Sequence, residues 1–291
     1  MLGLLIFSER TYVVMVKSKT PLQFVAFTLF LLHWQPIKPI RAGHGMELEI
    51  GYDYSEGSGT GPKHWGELRK EWKACKDEKL QSPINLLDDQ ARKAVSRVYD
   101  LKMNYKPSNA TMMNEGHAIS LEWEGDAGSI QINGTDYFLK QCHWHRSSEH
   151  FINGRRYVLE LHMVHRSRNN RVAVVAYLYQ IGKRSPVLAK MNNMYVSSLS
   201  TGLKKEINLG VANPRTIIQP SSQFYRYMGS LTTPPCTGGV IWSVNKKVLS
   251  ISKGQLRFLE RYGNAKMNAR PLQPLNGRDI SLLSWPSVGV A

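Results

Sequence analysis

From about residue 98 onward the chain is built of short runs that alternate apolar and polar positions. Ala118 to Trp123, Ser129 to Ile132, Tyr137 to His145 and Tyr157 to His165 follow the two-residue period of strands. Val172 to Ile181 is the most apolar run, which predicts a central strand. Ser252 to Leu259 predicts a short helix, with Ser252 as N-cap and Gln255 three residues on. Trp65 to Ala74 predicts another. The pattern therefore predicts a mainly β fold, a largely antiparallel sheet with small peripheral helices. Periodicity does not reveal the strand order.

The chain has 291 residues, 42% of them apolar, which is ordinary for a globular protein. Repeats, heptads and Gly/Ser/Pro linkers are absent, so one domain is expected over residues 44–291. Residues 1–43 read as a targeting segment. Phe24 to Leu32 is strongly apolar and follows Lys17 and Lys19, yet it is shorter than the roughly 20 residues a membrane span needs. The small residues Ala42-Gly43 complete a secretory signal pattern. Met15 opens a better basic region than Met1, which points to it as the true start. A signal anchor that is never cleaved is the alternative. Asn109-Ala110-Thr111 and Asn133-Gly134-Thr135 are glycosylation sequons, consistent with a secretory route.

Five of the nine histidines fall within 23 residues, His143 to His165. On a strand, His143 and His145 point the same way. Asn153-Gly154 is a turn signal, so the second run can return antiparallel and offer Glu160, His162 and Val164 on one face. Three imidazoles can then converge on one ion and leave a fourth tetrahedral position for water, as in catalytic zinc. A lone His-x-His more often decorates a surface or core. The third histidine shifts that balance, as do Gln141 beside His143 and Glu160 beside His162, since metal-bound imidazoles donate their outer N–H to such groups.

The chain also resembles the α-class carbonic anhydrases, plant members in particular. The resemblance rests on Gly61-Pro62-Lys63-His64-Trp65, Gln81-Ser82-Pro83-Ile84-Asn85, Asn114-Glu115-Gly116-His117 and Gln141 to His150. It continues through Glu160 to His165, Ser230-Leu231-Thr232-Thr233-Pro234-Pro235-Cys236, Trp242, and Asn268 to Ile280. These fragments keep the family's order over about residues 48–285.

The resemblance implies a single domain around a large twisted sheet of about ten strands, with a conical cleft reaching the metal. It implies Zn²⁺ on His143, His145 and His162, with Gln141, Glu160 and Asn268 behind them. A zinc-bound water, ionised near neutrality, would attack carbon dioxide to give bicarbonate. Thr232 would orient that oxygen through a hydrogen bond to Glu149, and Thr233 would contact bicarbonate. Val164, Val174, Leu231 and Trp242 would form the apolar wall. His117 would shuttle the released proton, with Tyr52 and Ser120 along the water path. Cys75 and Cys236 would be disulfide-bonded, leaving Cys142 as a buried small residue facing away from the metal. The implied destination is secreted, apoplastic or lumenal, the chloroplast included. Glu115, an acid beside the shuttle, and Cys142 are the departures.

The formal charge is +16; the first 42 residues carry five basic groups and one acid, so +12 belongs to the rest. Such a balance raises nucleic acid as a partner, but no basic helix, RNA-binding signature or zinc-finger pattern accompanies it. Small-molecule substrate is the expected partner, with no stable membrane span after signal removal. Two rivals stand beside the enzyme reading. His143-x-His145-x-x-x-Glu149 fits the core of a cupin motif, in which Glu149 would be a ligand. A storage or binding protein of dioscorin type on the anhydrase fold is the non-enzymatic alternative.

Overall fold

The computed structural model describes residues 51–93, 101–186, 188–189, 206–219, 222–262 and 267–284. The targeting segment at 1–43, with Met15, Phe24 to Leu32 and Ala42-Gly43, lies outside the described residues. In chain order the strands begin with β1 (Asn85–Leu86), β2 (Arg92–Lys93), β3 (Lys102–Tyr105), β4 (Ser108–Asn114) and β5 (Ile119–Trp123). They continue with β6 (Gly128–Ile132), β7 (Thr135–His145), β8 (Phe151–Ile152), β9 (Arg155–Arg156), β10 (Leu159–Ser167) and β11 (Val172–Ile181). The last are β12 (Glu206–Ala212), β13 (Gln223–Ser230), β14 (Gly238–Asn245), β15 (Leu249–Ile251) and β16 (Ser281–Ser284).

Thirteen strands form one sheet along the path β12-β4-β5-β7-β10-β11-β14-β13-β16-β2, with β15 on β11, and β3 on β6, which pairs β7. The core of the sheet is antiparallel, as expected, but β11–β14, β11–β15 and β16–β2 run parallel. Strand periodicity carries no information on direction, and β14 joins β11 only after the chain has passed through β12 and β13.

The apolar run at Val172–Ile181 is a central strand. Its Ala173, Val175 and Tyr177 belong to one buried cluster with Cys142, Trp144, Leu161 and Met163. Its Val174, Ala176 and Leu178 belong to a second with Tyr225, Tyr227, Trp242 and Val244. The sheet is therefore buried on both faces here, and each face of β11 contributes to a different core. Cys142 faces the first core and is fully buried.

Several local expectations are refined. The turn Asn153-Gly154 adopts φ of 51° and 76° and closes the small β8–β9 hairpin, not the return from β7 to β10. Two left-handed residues suit a tight hairpin turn, which explains the strength of the sequence signal. β10 begins at Leu159, because the N–H of Tyr157 goes to Ser148 Oγ at 2.9 Å. The helix predicted at 65–74 is two single turns, Trp65–Leu68 and Ala74–Asp77, around a 3₁₀ turn at Lys70–Trp72. Arg69 is extended and breaks it. Gly66 lets the two turns close up, since a Cβ there would stand 2.5 Å from Lys76 Cβ. The later helix spans Lys253–Tyr262, and Ser252 caps it reciprocally with Gln255, with Gln255 N donating to Ser252 Oγ at 3.3 Å and Ser252 N to Gln255 Oε1 at 3.2 Å.

Cys75 and Cys236 are disulfide-bonded across 161 residues. The bridge ties the turn at Ala74–Asp77 to the loop after β13 that carries Thr232 and Thr233. For a loop of that length the chain-entropy model gives about 5 kcal/mol.

Asp88 knots three elements on the same side of the molecule as β8 and β9. It accepts from Lys246 Nζ at 2.8 Å, the Tyr225 hydroxyl at 2.5 Å and Asn153 Nδ2 at 3.0 Å. These bonds, that of Lys246 foremost, hold its carboxyl down at about 2, below the ordinary 3.8. Stability from this knot is thus full above the unfolded pKa and is lost as pH falls through the folded one. Asp88→Asn should lower the melting temperature at pH 7 by about 1–4 °C, since the group is part-exposed and screened. The difference between variant and wild type should narrow steadily in melts taken from pH 5 toward pH 2. A gap independent of pH would show that the carboxylate charge is not what the knot uses.

Candidate metal centre

β7 and β10 pair so that His143 stands opposite His162 and His145 opposite Glu160. Alternation puts Gln141, His143 and His145 on one face of β7, and the register puts Glu160, His162 and Val164 beside them. His143, His145 and His162 each offer a ring nitrogen, and these nitrogens lie within 4.8 Å of one another.

The outer nitrogen of every ring is committed. His143 Nδ1 meets Gln141 Oε1 at 2.8 Å, His145 Nδ1 meets the Asn268 carbonyl at 2.7 Å, and His162 Nε2 meets Glu160 Oε1 at 2.8 Å. A carbonyl or carboxylate oxygen can only accept, so each of these nitrogens carries the proton. The inner atoms, His143 Nε2, His145 Nε2 and His162 Nδ1, are then bare lone pairs. Burial favours the neutral ring: it pushes His143 well below the usual range and also lowers His162. His143 Nε2 and His145 Nε2 stand 3.0 Å apart. Two lone pairs at that distance repel unless a cation lies between them. Three neutral nitrogens in this arrangement fit Zn²⁺.

Behind the triad lies a buried network. Glu160 Oε2 accepts from the backbone N–H of Glu149 and of His150, both at 2.8 Å. Its Oε1 also accepts from His150 Nδ1 at 2.6 Å. Burial alone would raise this carboxyl, but His150 and His162 hold it well below the usual range. His150 Nε2 meets the Tyr227 hydroxyl at 2.6 Å, which meets Ser82 Oγ at 2.8 Å. The close grouping of His150, Glu160 and His162 is thus a hydrogen-bond network whose atoms serve one another.

Glu149 is fully buried. Its Oε1 accepts from the backbone N–H of Arg270 at 2.9 Å, while Oε2 has no hydrogen-bond partner. The expected hydrogen bond from Thr232 is therefore not formed at that oxygen, although Thr232 is buried in the loop after β13. Thr233 is half-buried, and its carbonyl accepts from Cys236 N at 2.8 Å. Val174 and Trp242 lie in one apolar cluster, with Val164 and Leu231 packed against it. The Trp242 ring stands 4.8 Å from that of His162, centroid to centroid, so this cluster borders the triad.

His117 sits at the tip of the β4–β5 hairpin. Its Nε2 is 3.4 Å from the Tyr52 hydroxyl, and Asn268 Nδ2 donates to its carbonyl at 2.8 Å. His117, Tyr52, Tyr54, Glu115, Asn268 and Arg270 line a cleft of about 1280 Å³. Ser120 pairs with His143 across β5 and β7, and its hydroxyl is buried without a partner.

A eukaryotic-type carbonic anhydrase family model matches residues 60–283. The chain belongs to that family. Alpha carbonic anhydrase 7 of Arabidopsis thaliana is 43% identical, with 89% of this chain and 94% of that protein covered. Carbonic anhydrase Nec1 of Nesocodon mauritianus is 45% identical over 87% of this chain and 91% of its own. The crystal structure of dioscorin complexed with ascorbate superposes with a TM-score of 0.76 at 38% identity, covering 81% of this chain and 99% of that one. Family membership and the single large sheet remove the cupin reading, and Glu149 bonds Arg270 N while His162 lies within the nitrogen triad.

The sequence pattern did not single out His150, Tyr54, Tyr227 and Arg270 as parts of this site. Arg270 is buried; NH1 donates to Gln81 Oε1 at 2.7 Å and NH2 to the Cys75 carbonyl at 3.0 Å. The Gln81-Ser82 fragment was the available signal, but no spacing rule joins positions almost 190 residues apart.

Glu160→Gln should weaken zinc binding by about 10–100-fold, as loss of an outer partner typically does. Competition with a chromophoric chelator measures it. Unchanged affinity would show that the charge behind His162 does not tune the metal.

Proposed function

We propose that this chain is a zinc carbonic anhydrase that interconverts carbon dioxide and bicarbonate, releasing a proton. The observation that carries the reading is the set of three inward lone pairs whose outer N–H groups are all committed. His143, His145 and His162 would hold the ion. Zinc, when bound, supplies Lewis acidity that brings the pKa of water down to about 7, an effect that neutral ligands preserve.

The chain's own residues do the rest. Glu149 has one oxygen on Arg270 N–H and a second, buried, acceptor to fill. We assign Thr232, which does not bond that oxygen in the structure, to fill it when the reacting water is bound. Because an ionised carboxylate only accepts, the Thr232 hydroxyl must donate there, and its lone pair then accepts from the reacting water and orients it. Carbon dioxide offers no polar handle, so an apolar wall of Val164, Val174, Leu231 and Trp242 suits it. Thr233 is assigned to the bicarbonate. His117, in the cleft, takes the released proton and passes it to buffer, with Tyr52 and Ser120 flanking its path.

The dioscorin likeness supports one other reading, a storage or binding protein on the same fold. Zinc analysis and stopped-flow carbon dioxide hydration on the purified chain separate the two. We expect one zinc per chain and zinc-dependent hydration, both abolished in His162→Ala. A metal-free, inactive wild-type chain would favour the storage reading.

The Cys75–Cys236 bridge fits an oxidising compartment, and Asn109 and Asn133 are both exposed, as glycosylation requires. We infer a secretory route, ending in the apoplast or a lumen such as that of the chloroplast. Among the described residues no helix is long and apolar enough to cross a membrane.

A proton shuttle acts after hydration itself. His117→Ala should therefore lower kcat by about 10-fold in weak buffer and leave kcat/KM nearly unchanged. Added imidazole should restore most of the loss. An unchanged kcat would remove His117 from the mechanism.

A further inference from the structure

Glu115 precedes His117 by two residues at the hairpin tip. The turn there is closed by backbone and Asn114 alone: Glu115 N donates to the Ala118 carbonyl and Gly116 N to Asn114 Oδ1, both at 2.9 Å. Gly116 has φ of 85°, the left-handed conformation that glycine adopts freely. The Glu115 carboxylate takes no part in that turn. Instead Oε2 lies 3.8 Å from His117 Nε2, within ion-pair distance. The two side chains are only 20% and 24% exposed, so solvent screens the pair incompletely.

We propose that Glu115 is a positioning residue for proton exit, its carboxylate facing Nε2 and stabilising the imidazolium form in which His117 carries a proton out of the cleft. The proposal rests on the assignment of His117 as the shuttle. The proton that reaches His117 leaves to a buffer base and returns the ring to neutrality, while Glu115 exchanges no proton.

The surroundings make the charge matter. Tyr52 and Tyr54 face the ring from the segment before the first helical turn, at centroid distances of 5.7 and 6.2 Å. From β7, His145 and His143 are the titratable rings that interact with it. Asn268, which holds the His117 carbonyl, is neutral. Glu56 and Glu260 line the wider cleft, and Asp53 is engaged by Ser55, Ser58 and Thr60. Burial lowers the ring's pKa, and the Glu115 charge is the largest influence opposing it. A hydrogen bond from the ring to the Glu115 backbone acts the same way and would survive any substitution of the side chain.

The test is an NMR titration of the His117 ring in the full, zinc-loaded chain, beside stopped-flow kinetics. Glu115→Gln should lower the His117 midpoint by about one unit, and Glu115→Asp should keep most of the wild-type value. With a Brønsted slope near one half, kcat in weak buffer should fall about 3-fold in Glu115→Gln while kcat/KM holds, and imidazole should erase the difference. A midpoint that moves by less than about 0.2 unit overturns the proposal. So does a loss of kcat/KM as large as the loss of kcat, which would mark a structural role. If the wild-type chain takes up zinc yet does not hydrate carbon dioxide, the function reading fails, and the NMR midpoint still decides the Glu115–His117 coupling.

Discussion

One buried carboxylate organises the centre of this molecule. Glu160 has no exposure to water, and an ionised group in such a place is costly unless its lone pairs are filled. Four donors fill them: the backbone N–H groups of Glu149 and His150, the His150 ring and the His162 ring. Each bond has a consequence. The two backbone bonds fold the segment after β7 so that Glu149 turns inward. The His150 bond starts the chain through Tyr227 to Ser82 and so to β13. The His162 bond fixes the tautomer that leaves Nδ1 bare. Removing the charge would loosen all four at once, which makes the ligand geometry a property of the whole network.

The sheet register is the second constraint. His143 and His162 face each other only because β7 and β10 pair without slip over Glu160–Val164, and the irregularity falls after Val164, beyond the site. A one-residue slip would send His162 into the opposite core beside Cys142 and Trp144. Both faces of this strand pair are largely buried, so burial alone does not choose the register. Glu160 breaks that degeneracy, since on the other face it would lose the N–H groups of Glu149 and His150 and the His150 ring.

This explains which parts were legible in the sequence. Strand periodicity fixes which side chains share a face, so the triad, Gln141 and Glu160 follow from spacing once antiparallel pairing is assumed. The pairing itself was inferred through Asn153-Gly154, and that turn closes a different hairpin. The conclusion survived because any antiparallel return in phase gives the same face. Asn268 acts on His145 through its backbone carbonyl, which every residue possesses, so spacing and residue type carry no mark of the role. Arg270 is similar: it reaches Glu149 through its own N–H, while its side chain ties Gln81 and Cys75 together. Such long-range contacts are products of topology, and the periodic pattern that predicts the strands is silent on them.

Under the proposed function, the architecture also separates two chemical tasks. The triad stands on β7 and β10 in the middle of the sheet, with a paired strand on either side. His117 stands on a hairpin tip, and the Asn268 amide ties its carbonyl to the triad's support and leaves the ring to Tyr52 and Glu115. Metal ligation demands placement to within a few tenths of an ångström, whereas proton transfer through intervening water tolerates a movable ring. A charge can therefore be added beside His117 without disturbing the three nitrogens. A charge beside His162 would have to be absorbed by the Glu160 network. Glu115 lies on the tolerant hairpin, and Cys142 faces the core on the far side of β7.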